Sequence, residues 1–294
     1  MMKVLILGSE GFVGHNLVQG LKTSHQVLTA DQLEVGHEKN YSKLNIIDQE
    51  NVEKIVRDVD VVINLVAHTL VSSLSDFIQN AQVNIIGLLN VLEACRKNNV
   101  KKIIFTSASS IVGEPQSFKV SEKHPVTPKT AYGLTKMASE HYLRLYNEMY
   151  GIDYVIFRFF NIYGPHQKNG LIPSLYSRII NEQPVTIFGK GDQIRDYVYI
   201  EDVIPFFEKA ISTNMANNLI LNMGTGNGST IMEVLDNLSK ILNIKPKIDF
   251  KPNRPGEIGN FVADVTLLNS IFNMTPQTSL ENGLKRTIAW LKNN

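Results

Sequence analysis

The chain has 294 residues, of which 43 % are hydrophobic and 19 % charged; this excludes a disordered chain and allows one broad α/β unit or two domains in contact. Its 29 Lys and Arg nearly balance 28 Asp and Glu along the sequence, so nothing resembles a nucleic-acid footprint and the expected partner is a small molecule. A lone Cys95 excludes an internal disulfide, no run approaches about 18 apolar residues, and no secretory signal precedes the first strand, so a cytoplasmic protein without a membrane segment is expected. The seven histidines show no metal-ligand spacing, and no metal is expected.

The first element is Lys3-Val-Leu-Ile-Leu-Gly-Ser-Glu-Gly-Phe-Val-Gly14, a branched apolar run that breaks into Gly8, Gly11 and Gly14. Phe12, Val13, Leu17, Val18 and Leu21 follow at helical spacing, so the glycines fall on a strand-to-helix turn. Gly8 permits the turn, Gly11 lets backbone N–H groups approach a pyrophosphate, and Gly14 lets the helix pack close to its strand, its N-terminus facing the anion. A plain βα turn also carries such glycines. What tips the reading is Asp31, which ends a second apolar strand, Gln26-Val-Leu-Thr-Ala30, roughly 20 residues beyond the turn, where a ribose diol needs an acceptor. No Arg follows closely to receive a 2′-phosphate, which favours NAD over NADP.

A short strand is expected at Leu44-Asn-Ile-Ile-Asp48, then a helix through Val52, Ile55 and Val56. Asp48 either approaches an adenine edge or caps that helix. Asp60-Val-Val-Ile-Asn-Leu-Val-Ala67 reads as a fully apolar strand, and the alternation of strands with helices predicts a doubly wound parallel sheet of the Rossmann kind, with ligands at the carboxyl ends of the strands. A long helix is expected over 77–98, apolar on more than one side, and the surplus apolar face suggests a helix from a second subunit. Asn84 within it is either satisfied in the core or positioned near the cofactor.

Ile103-Ile-Phe-Thr-Ser-Ala-Ser-Ser-Ile-Val-Gly113 begins as a strand and ends in small hydroxyl residues. The next helix carries Tyr132 and Lys136, four residues apart and therefore on one face. An ammonium beside a phenol stabilises the phenolate and lowers a pKa that is ordinarily about 10, which makes the pair the best catalytic candidate.

Gly8-Ser-Glu-Gly-Phe-Val-Gly14, Val83-Asn-Ile-Ile-Gly87, Tyr132 with Lys136, Arg158-Phe-Phe-Asn-Ile-Tyr-Gly-Pro165 and Arg195-Asp-Tyr197 resemble, in order and nearly end to end, the extended short-chain dehydrogenase/reductases. Among these the chain is similar to the NAD-dependent sugar-nucleotide epimerase/dehydratase family, typified by UDP-glucose 4-epimerase. The resemblance implies an NAD-binding Rossmann domain over 1–163 and a smaller α/β domain over 164–294, mainly for the sugar nucleotide, with an interleaved boundary. It implies that NAD is held by Gly8, Gly11, Phe12, Val13, Gly14, Asp31, Ile47, Asp48, Leu65, Ala67, Asn84, Tyr132, Lys136 and Phe160. It places the nucleotide diphosphate sugar, a UDP-sugar above all, against Asn161, Leu171, Phe188, Arg195, Tyr197, Arg254 and Glu257. A homodimer is implied as well.

The implied chemistry is 4-epimerisation through a transient keto sugar, with UDP-glucose and UDP-galactose as the expected pair. Phe261, in Asn260-Phe-Val-Ala-Asp264, falls where the family gates sugar size, and a ring there would crowd an N-acetyl group. One departure stands out. Counting back from Gly113, the family's catalytic Ser or Thr falls at Ala108, and Val112 replaces the Tyr before that glycine, so Ser107 or Ser109 is expected to take over. A 4-ketoreductase of the same superfamily would need exchange of reduced cofactor. A 4,6-dehydratase is disfavoured because Ser109-Ser110 stands where that branch has Asp-Glu, and retained Tyr132 and Lys136 argue against a non-catalytic binding module. Gly224-Thr-Gly-Asn-Gly228 resembles a second phosphate loop, but Thr230-Ile-Met-Glu233 reads as a capping box and makes those glycines a structural turn.

Overall fold

The structure is a computed structural model and describes residues 1–252 and 259–293. Five parallel strands come first: β1 (Lys3–Leu7), β2 (Gln26–Asp31), β3 (Tyr41–Lys43), β4 (Val61–Asn64) and β5 (Lys102–Ala108). With the strands Asp153–Phe159 and Leu219–Met223 they form one seven-stranded sheet, ordered Leu219–Met223, Asp153–Phe159, β5, β4, β1, β2, β3. The order reverses at β1, so the crevice between the carboxyl ends of β1 and β4 is the switch point where such sheets receive ligands. Leu219–Met223 brings the second half of the chain back into this sheet.

Alternation along the strands divides the core. Leu5, Leu7, Val62, Ile103, Phe105 and Ile156 face one side, where they pack with helices α2 (Gln49–Ile55), α4 (Gly87–Lys97) and α5 (Ala131–Tyr150). Val4, Ile6, Ile63, Ile104, Val155 and Phe157 face the other, against a further α1 (Phe12–Leu21), α7 (Ile200–Ser212) and α9 (Thr266–Phe272). Strands buried on both faces are continuously apolar for this reason. A smaller third cluster gathers α6 (Leu171–Ile180), α8 (Ile231–Leu242) and α10 (Leu280–Lys292) with the short parallel pair Val185–Phe188 and Ile248–Lys251.

Two expected elements differ. The strand after β2 is Tyr41–Lys43 rather than 44–48; pairing with Thr29, Ala30 and Asp31 fixes it, and the more apolar 44–47 segment follows its end. The helix expected over 77–98 is three pieces: α3 (Phe77–Ala81), a π-helical turn Gln82–Ile86, and α4. Asn84 lies in that wider turn, the kind of local irregularity that recurs near functional sites.

The Gly224–Gly228 turn is structural. Asp196, fully buried, accepts from Thr225 N at 2.8 Å, Gly226 N at 2.9 Å and Ala263 N at 3.1 Å, so a carboxylate of the chain itself fills the nest that a phosphate would need. The Thr230–Glu233 capping box forms as read. Deeper in the sheet, Arg158 meets Glu140 of α5 through two buried hydrogen bonds, Nε to Oε1 at 2.9 Å and Nη2 to Oε2 at 2.8 Å. Removing one partner of such a pair leaves an uncompensated charge inside the protein. Glu140→Ala is therefore expected to lower unfolding stability by about 3 kcal/mol or more in urea titration, and a loss under about 1 kcal/mol would contradict this role.

Candidate active site

A crevice of about 890 Å3 opens at the switch point. Gly8 begins its inner wall with φ +84°, a left-handed conformation, and a Cβ there would come within 3.2 Å of the Leu65 carbonyl carbon and Val66 N. At Gly14 a Cβ would lie 2.1 Å from Gly8 O, so α1 packs against the turn only because that position has no side chain. Gly11 is the N-cap of α1, and Phe12, Val13 and Gly14 of its first turn line the crevice with their unsatisfied N–H groups at hand. Asp31 lines it too. Its Oδ2 accepts from Glu10 N at 3.0 Å and its Oδ1 from Gln32 N at 2.7 Å, which fixes the carboxylate and leaves lone pairs for a diol.

Leu65, Ala67 and Phe160 line the crevice as well. Ile47 and Asp48 do not. Asp48 caps α2, accepting from Asn51 N at 3.2 Å, and the preceding residues Asn45 and Ile46 form the wall in their place. The shift follows from where β3 ends: Leu44 N donates to Asp31 O, and the chain is at the crevice over 44–46 before it turns into the helix.

Tyr132 and Lys136 both reach the crevice from α5, whose N-cap Thr130 accepts from Gly133 N at 3.0 Å. Lys136 is almost fully buried. Its Nζ donates to Thr106 O at 2.7 Å, sits 4.4 Å from the centroid of the Phe105 ring and 5.7 Å from that of Tyr132. Burial draws the ammonium down to about 7, against an opposing pull from Glu140, and burial pushes the Tyr132 phenol up to about 12. Burial therefore moves the Tyr132 phenol upward, opposite to the lowering expected from its lysine neighbour.

Ile103 and Phe105 pack on the sheet face that meets α5, and Ile104 packs on the other. Ser107 and Ala108 both line the crevice, and the Ser107 Oγ is shielded from solvent without a hydrogen-bond partner. Ser109, in a 3₁₀ turn after β5, also lines the crevice. Asn84 does not reach it. Its Oδ1 accepts from His68 N at 2.8 Å, and its Nδ2 donates to His68 O at 3.1 Å and Thr135 Oγ1 at 3.0 Å, so it is a satisfied residue that ties the β4 exit to α5.

From the second half, Asn161, Leu171 and Tyr197 join the lining, while Phe188 and Arg195 stand outside it. Phe261 is turned inward. It is buried beside Phe160, ring centroids 5.7 Å apart, with Ile111, Val112 and Val120, and is not among the crevice-lining residues. Arg254 and Glu257 lie outside the described residues. Sequence reading missed Asn45, Ile46 and His68.

The sequence model described as the NAD dependent epimerase/dehydratase family matches residues 4–224. The chain belongs to this family. Lactobacillus helveticus UDP-glucose 4-epimerase is 31 % identical over 305 residues, covering 94 % of this chain and 92 % of its own. Among solved structures, UDP-glucose 4-epimerase of Thermotoga maritima with UDP-glucose superposes with a TM-score of 0.93 at 30 % identity, covering 99 % of each chain. UDP-glucuronic acid 4-epimerase of Bacillus cereus, in complex with UDP-glucuronic acid and NAD, gives 0.92 at 29 %, again over 99 % of each. The protein is an NAD-dependent enzyme of the sugar-nucleotide epimerase class, and the glycine cradle with Asp31 fits NAD. Among the described residues, no helix is long and apolar enough to cross a membrane and no acidic, His or Cys group could hold a metal ion.

The depressed Lys136 has a thermodynamic signature. Its folded pKa of about 7 lies below the ordinary 10.5, so the unfolded chain holds the extra proton between these values, and stability rises with pH across that window and is least below it. Lys136→Met is expected to flatten this rise in the cofactor-free protein, read as a smaller change in Tm between about pH 7 and about pH 9 than in wild type. An equal change in both proteins would contradict the burial of the amine.

Proposed function

We propose that the protein is a UDP-sugar 4-epimerase that interconverts UDP-glucose and UDP-galactose through a transient 4-keto sugar. One observation carries the reading: Tyr132, Lys136, Ser107 and Ser109 line a single crevice together with the glycine turn and with Asn161, Leu171 and Tyr197. The names of the relatives support a UDP-linked sugar.

When bound, NAD would accept the hydride of C4 and give it back to the opposite face, and in its oxidised form it would supply a positive charge that favours the Tyr132 phenolate. Tyr132 removes the C4 hydroxyl proton, and Ser107 donates a hydrogen bond to the oxygen whose charge is changing. Lys136, fixed by Thr106 O, orients the cofactor ribose and the phenol. The proton returns from Tyr132 after the ring has turned over, which requires that the diphosphate be gripped more tightly than the hexose. Residues 1–163 serve mainly the cofactor and 164–294 mainly the sugar nucleotide. The protein works in the cytoplasm.

A homodimer completes the reading. Phe77 and Ile78 of α3 are 67 % and 73 % exposed, and Leu134 and Met149 of α5 are 53 % and 59 % exposed, an apolar face that a second copy would cover. Sedimentation at micromolar concentration should give a dimer, and a monomer would remove this part.

The function is tested with a panel of UDP-, dTDP- and GDP-sugars without added reductant. UDP-glucose should be the best substrate, and Tyr132→Phe should lower kcat by at least about 10²-fold with KM nearly unchanged. Ser107→Ala should cost about 10²-fold and Ser109→Ala much less. Undiminished turnover in Tyr132→Phe would refute the mechanism.

A further inference from the structure

Two histidines outside the crevice lining are stacked face to face. His15 follows Gly14 in α1, His166 follows Pro165 in the second half of the chain, and their ring centroids are 3.8 Å apart at an interplanar angle of 29°. His37 meets the His15 ring edge-on at 5.5 Å, and Trp290 of α10 lies 4.8 Å from His166. Rings that meet by their faces do not converge their nitrogens, and among the described residues no such group could hold a metal ion. Asn16, next to His15, reinforces the stack: its Nδ2 donates to Pro165 O at 3.0 Å and to Phe12 O at 2.8 Å. His166 has a left-handed φ of +69°, which a residue with a side chain keeps when its surroundings fix it.

These contacts join two segments that line the same crevice. Phe12, Val13 and Gly14 precede His15, while Tyr163 and Gln167 stand on either side of His166 in the chain. Gln167 N donates to Gly164 O at 3.3 Å and closes the turn, so the position of His166 is passed on to a lining residue. Burial is the largest influence on both rings and lowers the pKa of each from the ordinary 6.5. The charged groups facing His15 are His37, Glu10, Glu38 and Lys22, and those facing His166 are His15, His37 and Lys168. Glu10 and Glu38 favour a proton on His15; the other groups oppose one, and the Trp290 indole adds no charge. Two imidazolium rings 3.8 Å apart repel each other, in a setting that screens less than bulk water. We propose that the His15–His166 stack is a pH-sensitive latch joining the cofactor helix α1 to the second-half segment of the crevice wall, closed while both rings are neutral and released when both are protonated, so that the dinucleotide is held less tightly in acid.

Calorimetric Kd values for NAD⁺ at about pH 7.5 and about pH 5.5 test it in wild type, His15→Phe and His166→Asn. Phe keeps a ring in the stack that takes no proton, whereas Asn tolerates the left-handed backbone and removes the ring. Wild type should bind NAD⁺ about 5-fold more weakly at the lower pH. His15→Phe should match wild type at the higher pH and lose most of this change, and His166→Asn should bind more weakly at the higher pH and also change little. Thermal unfolding of the cofactor-free protein gives a second reading. Both folded pKa values lie below 6.5, so the unfolded chain takes up protons first and stability falls as pH drops below 6.5; that fall in Tm should be smaller in both variants. A loss of NAD⁺ affinity in acid that is as large in both variants as in wild type overturns the proposal. So does tighter binding by wild type in acid, which would mean that the added charge acts on the cofactor phosphates. Cofactor binding does not depend on which sugar is turned over, so a failed UDP-glucose assay would remove the proposed function and leave this comparison decisive.

Discussion

The site depends on keeping one amine out of water. Lys136 is placed between α5 and the end of β5 with a single carbonyl, Thr106 O, as its hydrogen-bond acceptor and an aromatic ring beneath it. Burial makes its positive charge expensive, and the same lack of water pushes the neighbouring phenol of Tyr132 up to about 12. The protein alone therefore holds a pair biased toward its neutral forms. An added positive charge has a large effect on such a pair, because the interior screens charges far less than water does.

The surrounding fold serves that arrangement. Glu140 and Arg158 pin the middle of α5 to the sheet, and Asn80 and Asn84 pin its beginning to the loop after β4. The π-helical turn that carries Asn84 widens the backbone of its helix, so that the asparagine reaches both a loop and a neighbouring helix. On the opposite side of the crevice, Gly14 allows α1 to sit against the turn. Two helices are thereby fixed on either side of the same space by contacts that tolerate little change in volume.

Much of this was legible in the sequence. Continuous apolar strands alternating with amphipathic helices gave the parallel sheet, and the glycine spacing with Asp31 located its switch point. Tyr132 and Lys136 stood out because their separation has a chemical use on one helix face. What escaped depends on tertiary partners. Asp48 had two good local readings, and only the position of β3 decided for the cap. Asn84 looked like a site residue and proved to be a brace, since its partners lie 16 and 51 residues away. Phe261 gave no local sign that it packs on Phe160. Ser107 and Ser109 were both named from the sequence, and both line the crevice, as does Ala108.

The central proposal is that Tyr132, partly buried at the crevice wall, is a neutral phenol until the cofactor supplies charge. It is tested most directly by following phenolate absorbance with pH in wild type and Tyr132→Phe, each with and without NAD⁺, and taking the difference between the two proteins. The account predicts no Tyr132 signal below about pH 10 in the cofactor-free protein and a clear one near neutral pH once NAD⁺ is bound. The same titration with and without NAD⁺ would contradict it.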